Sequence, residues 1–184
     1  MNAPQDYLAG KKILAVDDEN DILETIVDLL DTAQVDCARD FESALSKIDN
    51  HSYDLAILDI MGVNGLQLLE SAVAKGISTV MLTAHAINPE TLMASIRKGA
   101  IAYLPKETLA ELDELLNELL AAQAAGNPPW KLLFDKLGDF FDDRFGPEWR
   151  TKDEAFWSEF SRTWVVGSGI RERLTHDPRL AGKL

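Results

Sequence analysis

Five short apolar runs recur along the first two thirds of the chain, with longer amphipathic stretches between them. The runs cover residues 13–16, 35–38, 55–58, 79–82 and 101–104. Several are apolar at consecutive positions, which is typical of strands covered on both faces in a parallel sheet. Strands that alternate with helices predict an α/β domain built on a doubly wound, five-stranded parallel sheet.

The stretches between the runs carry helical signals. Residues 21–33 repeat apolar side chains at intervals of three and four, and Asn20 or Asp21 can cap the start of this helix. The longest amphipathic stretch predicts one helix over residues 108–125, with a stripe of leucines along one side.

Proline and glycine mark the ends of two helices. Asn88-Pro89 opens a helix with proline in its first turn, and Gly99 ends it. The segment 126–129, Gly-Asn-Pro-Pro, breaks the helix before it, because proline lacks an amide hydrogen and restricts its neighbour. We therefore place a domain boundary there, between residues 1–125 and 126–184.

The segment 126–184 has a composition of its own, with all four tryptophans and most of the phenylalanines. Two aromatic stripes at helical spacing, separated by Gly146-Pro147, predict a helical hairpin or short bundle. The stripes are Trp130, Leu133, Phe134, Leu137 and Phe141, then Phe156, Trp157, Phe160 and Trp164. These stripes could pack against each other within the hairpin, against the first domain or against a second subunit. We favour a homodimer, because so many tryptophans are hard to bury in a small appendage.

Composition and charge exclude two classes of partner. The hydrophobic share of 46% and charged share of 27% are those of a soluble globular protein, without an apolar run long enough for a membrane span or a signal peptide. We therefore expect a cytoplasmic protein. Residues 1–125 hold 21 acidic and 8 basic residues, and 126–184 hold 10 of each. Neither part offers the basic surface that nucleic acids require.

Acidic and polar residues follow the apolar runs at the point where predicted strands end. They are Asp17, Asp18, Asp59, Thr83 and Lys106. In an open parallel sheet the ligand site lies outside the carboxyl ends of the strands, so these side chains can converge. Clustered carboxylates need a cation to stay ionised, and oxygen ligands favour Mg²⁺. One carboxylate can then attack phosphorus as a nucleophile, which describes an aspartate that becomes phosphorylated.

At this point residues 10–125 resemble the receiver domain of two-component response regulators. The resemblance rests on four motifs in the right order: ILAVDDE, LAILDI, VMLTAH and KGAIAYLPK. It implies that Asp59 is the phosphoacceptor and that Asp17, Asp18 and the backbone carbonyl of Met61 bind Mg²⁺ together with it. It also implies that Thr83 is the switch hydroxyl, Tyr103 the aromatic residue that rotates, and Lys106 the lysine characteristic of receivers. Ordinary packing explains Tyr103 about as well. Glu19 fits a carboxylate at a helix start better than a ligand.

The sequence departs from the receiver pattern in two loops. Gly65 comes six residues after Asp59 where receivers usually have a glycine after eight, and Gly62 directly follows Met61, so this loop is two residues short. Glu107 follows Lys106 in place of the usual proline. A cis bond is common after the receiver lysine, but before a residue other than proline it would cost about 2.5–4 kcal/mol.

The resemblance implies a response regulator that accepts a phosphoryl group from a sensor histidine kinase, a phosphotransfer protein or a small acyl phosphate. It would signal to an unknown downstream protein, and its only catalysis would be its own phosphorylation and dephosphorylation. A Mg²⁺-dependent phosphohydrolase is the rival from the enzyme class, although Met61 stands where that class needs a second aspartate. A third reading is a scaffold that the short loop has made independent of phosphate.

Overall fold

The computed structural model describes residues 5–165. Five strands form one sheet, in the order β2-β1-β3-β4-β5, and every neighbouring pair is parallel. They are β1 (Lys12–Val16), β2 (Gln34–Ala38), β3 (Leu55–Leu58), β4 (Ser78–Thr83) and β5 (Ala102–Pro105). Each strand lies within one residue of a predicted apolar run, and the predicted fold class is confirmed. All carboxyl ends of the strands therefore lie along one edge of the sheet.

Helices connect the strands and cover both faces of the sheet. They are α1 (Asn20–Leu29), α2 (Phe41–Asn50), α3 (Gly65–Ala74), α4 (Pro89–Lys98) and α5 (Leu112–Ala124). The predicted ends of α4 are confirmed: the Asn88 side chain accepts a hydrogen bond from the Thr91 amide at 2.8 Å, and Gly99 adopts a φ of 98°. This glycine has the left-handed conformation that commonly ends a helix.

Helix α1 is shorter than predicted. It begins at Asn20 and ends at Leu29, and neither Asn20 nor Asp21 caps it. The apolar pattern in the sequence continues beyond the end of the helix because two residues of the following loop pack against the core. Leu30 is buried there, and Ala33 is partly buried. Burial from a loop and burial from a helix leave the same pattern in the sequence.

The helix predicted over residues 108–125 is divided in two. Lys106–Glu111 forms a tighter 3₁₀ helix, and α5 follows it directly. The Thr108 hydroxyl donates to the Pro105 carbonyl at 2.7 Å, which satisfies a backbone acceptor where the chain leaves β5. Within residues 5–165 every peptide bond is trans, including the one between Lys106 and Glu107.

Two further helices follow α5, and the predicted helical hairpin is confirmed in the described range. Helix α6 covers Pro129–Phe145, and α7 covers Glu154–Thr163 after a short 3₁₀ turn. Residues 166–184 of the predicted extension lie outside the described residues. No helix between residues 5 and 165 is long and apolar enough to cross a membrane.

The tryptophans of this extension are covered within one chain. Trp130, Trp149 and Trp157 are each at most 5% exposed, and Trp164 is half-buried. They belong to the same continuous apolar core as the sheet. Their burial therefore does not require the second copy that the sequence had favoured.

Candidate functional site

The carboxyl edge of the sheet brings together the three predicted acids. Asp17 follows β1 and Asp59 follows β3, and both are buried, whereas Asp18 is exposed. Carboxylate oxygens from the three residues lie within 4.8 Å of one another. The convergence follows from the pairing of β1 with β3, which places the ends of these two strands side by side.

Lys106 reaches into this cluster from the end of β5. Its ammonium nitrogen lies 2.8 Å from Asp17 Oδ2, 3.3 Å from Asp59 Oδ2 and 3.0 Å from Glu19 Oε1. Burial of the ammonium opposes its charge, but its hydrogen bonds to Asp17 and Glu19, together with the charge of Asp59, raise the pKa of Lys106 above its ordinary value. The lysine therefore carries its positive charge throughout the physiological range.

The Lys106 ammonium contacts three carboxylates, those of Asp17, Glu19 and Asp59. Burial raises the pKa of Asp17 above its ordinary value, even though hydrogen bonds from Lys106 and the Glu19 amide oppose the rise, and the nearby charge of Asp59 adds to it. Repulsion of this kind is relieved when a cation joins the cluster. Three carboxylate groups at this spacing, one of them open to solvent, fit a hard divalent ion such as Mg²⁺.

Backbone amides orient the two buried acids. Asp17 Oδ1 accepts from the Glu19 amide at 2.9 Å, and Asp59 Oδ1 accepts from the Ile60 amide at 2.8 Å. These bonds use one oxygen of each carboxylate, while the other oxygen of each contacts Lys106. Asp59 is therefore held at two points before any ligand arrives.

Two glycines allow the short loop after Asp59. Gly62 has a φ of 75°, and a Cβ there would lie 2.6 Å from the Asp18 carboxylate. At Gly65 a Cβ would lie 1.8 Å from the carbonyl oxygen of Asp59. The Met61 carbonyl accepts from the Val63 amide at 2.8 Å, and since a carbonyl has two lone pairs, it retains one for another partner. The glycines thus provide the space that lets the loop pack against the acids.

Thr83 ends β4, between the strand that delivers Asp59 and the strand that delivers Lys106. It is fully buried, and its hydroxyl has no hydrogen-bond partner among the described residues. An unpaired buried hydroxyl typically costs about 1–3 kcal/mol. Such a group is available to an incoming ligand.

Tyr103 lies on β5 with its side chain fully buried. Its hydroxyl donates to the Ala86 carbonyl at 2.7 Å and lies 2.9 Å from the Thr91 hydroxyl oxygen. Burial raises the pKa of Tyr103 to about 12, so the hydroxyl keeps its proton. The residue is thereby tied to the loop between β4 and α4, which begins directly after Thr83.

A family model for the response regulator receiver domain matches residues 13–119 of the chain. The chain belongs to this family. No curated protein sequence matches it. The match ends within α5, so the helical extension lies beyond the part of this receiver that the family describes.

Solved receiver structures resemble the same part of the chain. A CheY-like response regulator receiver domain protein from Methanospirillum hungatei JF-1 is 31% identical, with a TM-score of 0.58 over 65% of this chain and 100% of that one. The signal receiver domain of an HD domain-containing protein from Pseudomonas fluorescens Pf-5 is 25% identical, with a TM-score of 0.56 over 63% and 98%. A receiver domain protein from Clostridium thermocellum is 27% identical, with a TM-score of 0.53 over 62% and 98%.

Two partners in this receiver site were missed in the sequence. Glu19 stands at the N-cap position of α1, but its side chain makes no cap and pairs instead with Lys106. The position of Glu19 directly after Asp17 and Asp18 was the sequence signal that could have placed it in the site. The Ala86 carbonyl, which holds Tyr103, is a backbone group and leaves no trace in the residue type.

Proposed function

We propose that Asp59 accepts a phosphoryl group from the phosphohistidine of a sensor histidine kinase or phosphotransfer protein, or from a small acyl phosphate. The burial of Asp59 beside Lys106 and two further acids is the observation that carries this proposal. A carboxylate oxygen of Asp59 would form the new bond to phosphorus while the bond from phosphorus to the donor atom breaks. With a phosphohistidine donor, the imidazole nitrogen leaves with the electron pair and takes up a proton.

The side chains around Asp59 have separate tasks in this proposal. Asp17, Asp18, Asp59 and the Met61 carbonyl would hold Mg²⁺, which neutralises phosphoryl oxygens when it is bound. Lys106 pairs with the incoming anion, exchanging part of its contact with Asp59 for one with the phosphoryl group. The Thr83 hydroxyl donates a hydrogen bond to a phosphoryl oxygen.

The proposed output is a change in contacts with a downstream protein. A phosphoryl group adds about −1 to −2 charge at the site. Coupling energies of roughly 1–3 kcal/mol, typical of allosteric proteins, change the affinity for a partner about 5- to 150-fold. We place this activity in the cytoplasm and limit its catalysis to phosphorylation and dephosphorylation of the chain itself.

Neither alternative accounts for the site as well. A phosphohydrolase would use an acid two residues after its nucleophile, where this chain has the exposed, apolar side chain of Met61. A scaffold independent of phosphate would not need to keep Lys106 and Asp59 buried together at 3.3 Å.

Intact-mass measurement after incubation with Mg²⁺ and acetyl phosphate tests the proposal. We expect one phosphoryl group on the wild-type protein and none on Asp59→Asn. Asp54→Asn is the matched control, because Asp54 accepts from the Lys12 amide at the opposite end of the sheet. A phosphoryl group that persists in Asp59→Asn would overturn the assignment.

A further inference from the structure

The surface formed by α4, β5 and α5 is covered by the chain's own helices α6 and α7. From α6, the indole of Trp130 donates to the Ala100 carbonyl at 2.8 Å, just before β5. Lys136 of α6 lies 2.6 Å from a carboxylate oxygen of Glu118 of α5. Trp130, Leu133 and other buried side chains of α6 continue the core of the receiver. These contacts dock α6 on the receiver through apolar burial, a hydrogen bond and an ion pair.

The segment around α7 contacts α4 through one arginine. Arg97 pairs with Asp153 at 3.1 Å, and its guanidinium carbon lies 4.7 Å from the centre of the Phe156 ring. A cation over an aromatic face is attractive in addition to the ion pair. The extension is therefore attached to both helices that border β5.

Tyr103 links this docked extension to the site. One end of the side chain, its hydroxyl, is bound to the Ala86 carbonyl in the loop that follows Thr83. Its ring lies 6.1 Å from the ring of Phe141, a fully buried residue of α6, in an edge-to-face arrangement. A single buried side chain thus contacts both the loop next to the phosphoacceptor site and the extension.

We propose that docking of α6 and α7 on the α4–β5–α5 surface and phosphorylation of Asp59 stabilise each other, through Thr83, Tyr103 and Phe141. The inference rests on the proposed function and adds its regulation. The extension acts as an intramolecular partner for this surface, so that another protein gains access to it only when the extension is released.

The direction of the coupling follows from the docked structure itself. With α6 docked, Tyr103 is buried, its hydroxyl holds the β4–α4 loop, and the Thr83 hydroxyl has no hydrogen-bond partner within residues 5–165. A phosphoryl group would satisfy that hydroxyl in the arrangement that is already present. The ligand therefore favours the conformation to which the extension binds, and by linkage a docked extension favours the ligand to the same degree.

Hydrogen exchange and binding of beryllofluoride, an acyl-phosphate analogue, test the coupling in the full chain. With Mg²⁺ and beryllofluoride we expect the amides of α6 to exchange at least about fivefold more slowly, which is the lower end of typical allosteric coupling. Phe141→Leu keeps an apolar side chain but loses the ring beside Tyr103. We expect it to weaken beryllofluoride binding by a similar factor in calorimetry.

Two sets of controls separate the coupling from general damage. Phe140→Leu removes a half-buried ring of the same helix that packs on Phe141, and it should bind beryllofluoride like the wild type. Glu118→Lys should weaken docking without touching the core, and adding Lys136→Glu should restore it. These charge variants decide the question if Phe141→Leu does not fold.

The outcomes also separate this inference from the function on which it rests. Beryllofluoride binding with unchanged exchange in α6 and unchanged affinity in Phe141→Leu and Glu118→Lys would overturn the coupling but leave Asp59 as phosphoacceptor. Absence of both beryllofluoride binding and the acetyl phosphate adduct would overturn the proposed function and the coupling together.

Discussion

Replacing Gly65 by alanine should slow phosphorylation of Asp59, because the added methyl group would collide with the backbone next to the site. The added Cβ would lie 1.8 Å from the Asp59 carbonyl oxygen and 2.9 Å from the Cα of Ile60. Ordinary contact starts at 3.4 Å, so the backbone at Gly65 and at Asp59 would have to separate by about 1.6 Å. Both contacts are with backbone atoms, which cannot turn aside as a flexible side chain can.

The cost has two components. Overpacking of this kind typically destabilises a protein by about 1–3 kcal/mol, and the closeness of the contact puts Gly65→Ala at or above the upper end. The displacement also moves Asp59, the proposed nucleophile, and a misplacement of about 1 Å can slow a reaction roughly 10²-fold. We therefore expect both a lower free energy of unfolding and much slower phosphorylation.

Urea unfolding and the rate of phosphorylation by acetyl phosphate measure the two components. Gly138→Ala is the matched control, since Gly138 lies inside α6 and, apart from its chain neighbours and the backbone of its own helix, no atom of the described residues lies within 4 Å of an added Cβ. Alanine there should raise the free energy of unfolding by about 0.5–1 kcal/mol. Wild-type stability and a wild-type phosphorylation rate in Gly65→Ala would refute the role of this glycine.

Three further predictions concern the site and its supports. Burial raises the pKa of Asp17 above 3.8, so the metal-free folded protein holds this proton more tightly than the unfolded chain does. The free energy of unfolding should therefore fall as pH rises from 3.8, the pKa in the unfolded chain, to the higher pKa in the folded protein. Asp17→Asn should flatten this decline in urea titrations at several pH values, and an unchanged slope would contradict it. Tyr103→Phe should cost about 0.5–1.5 kcal/mol in thermal or urea unfolding, since the Ala86 carbonyl loses one donor but keeps the Thr91 hydroxyl. Asn88→Ala should cost about 1 kcal/mol by loss of the cap to the Thr91 amide, whereas Asn88→Asp should retain most of it.

The sheet and the acids could be predicted because their signals are local. Each strand is a short apolar run, and each of the two buried acids directly follows a run, so the parallel topology alone brings Asp17 and Asp59 together. Helix α4 was equally clear because its start at Asn88 and its end at Gly99 depend on single residue types. The end of α1 and the start of α5 were not, since burial continues beyond α1 in a loop and a 3₁₀ turn precedes α5.

The docking of the extension could not be predicted, because an aromatic stripe at helical spacing does not identify the surface that it covers. The sequence allowed the hairpin, the receiver or a second copy. In the structure the stripes cover both the receiver, through Trp130 and Phe141, and each other, through the contacts of Trp130 with Phe160 and of Phe134 with Trp157. The short loop is similar: its length is evident from the sequence, but the contact that forbids a side chain at position 65 is not.

The residue that carries the phosphoryl group can be identified by chemical reduction. Borohydride reduces an aspartyl phosphate to homoserine, which peptide sequencing by mass spectrometry assigns to one position. After reaction with acetyl phosphate, we expect homoserine at position 59 only, and only when Mg²⁺ was present. Homoserine at position 17 or 18, or equal labelling of Asp59 without Mg²⁺, would contradict it.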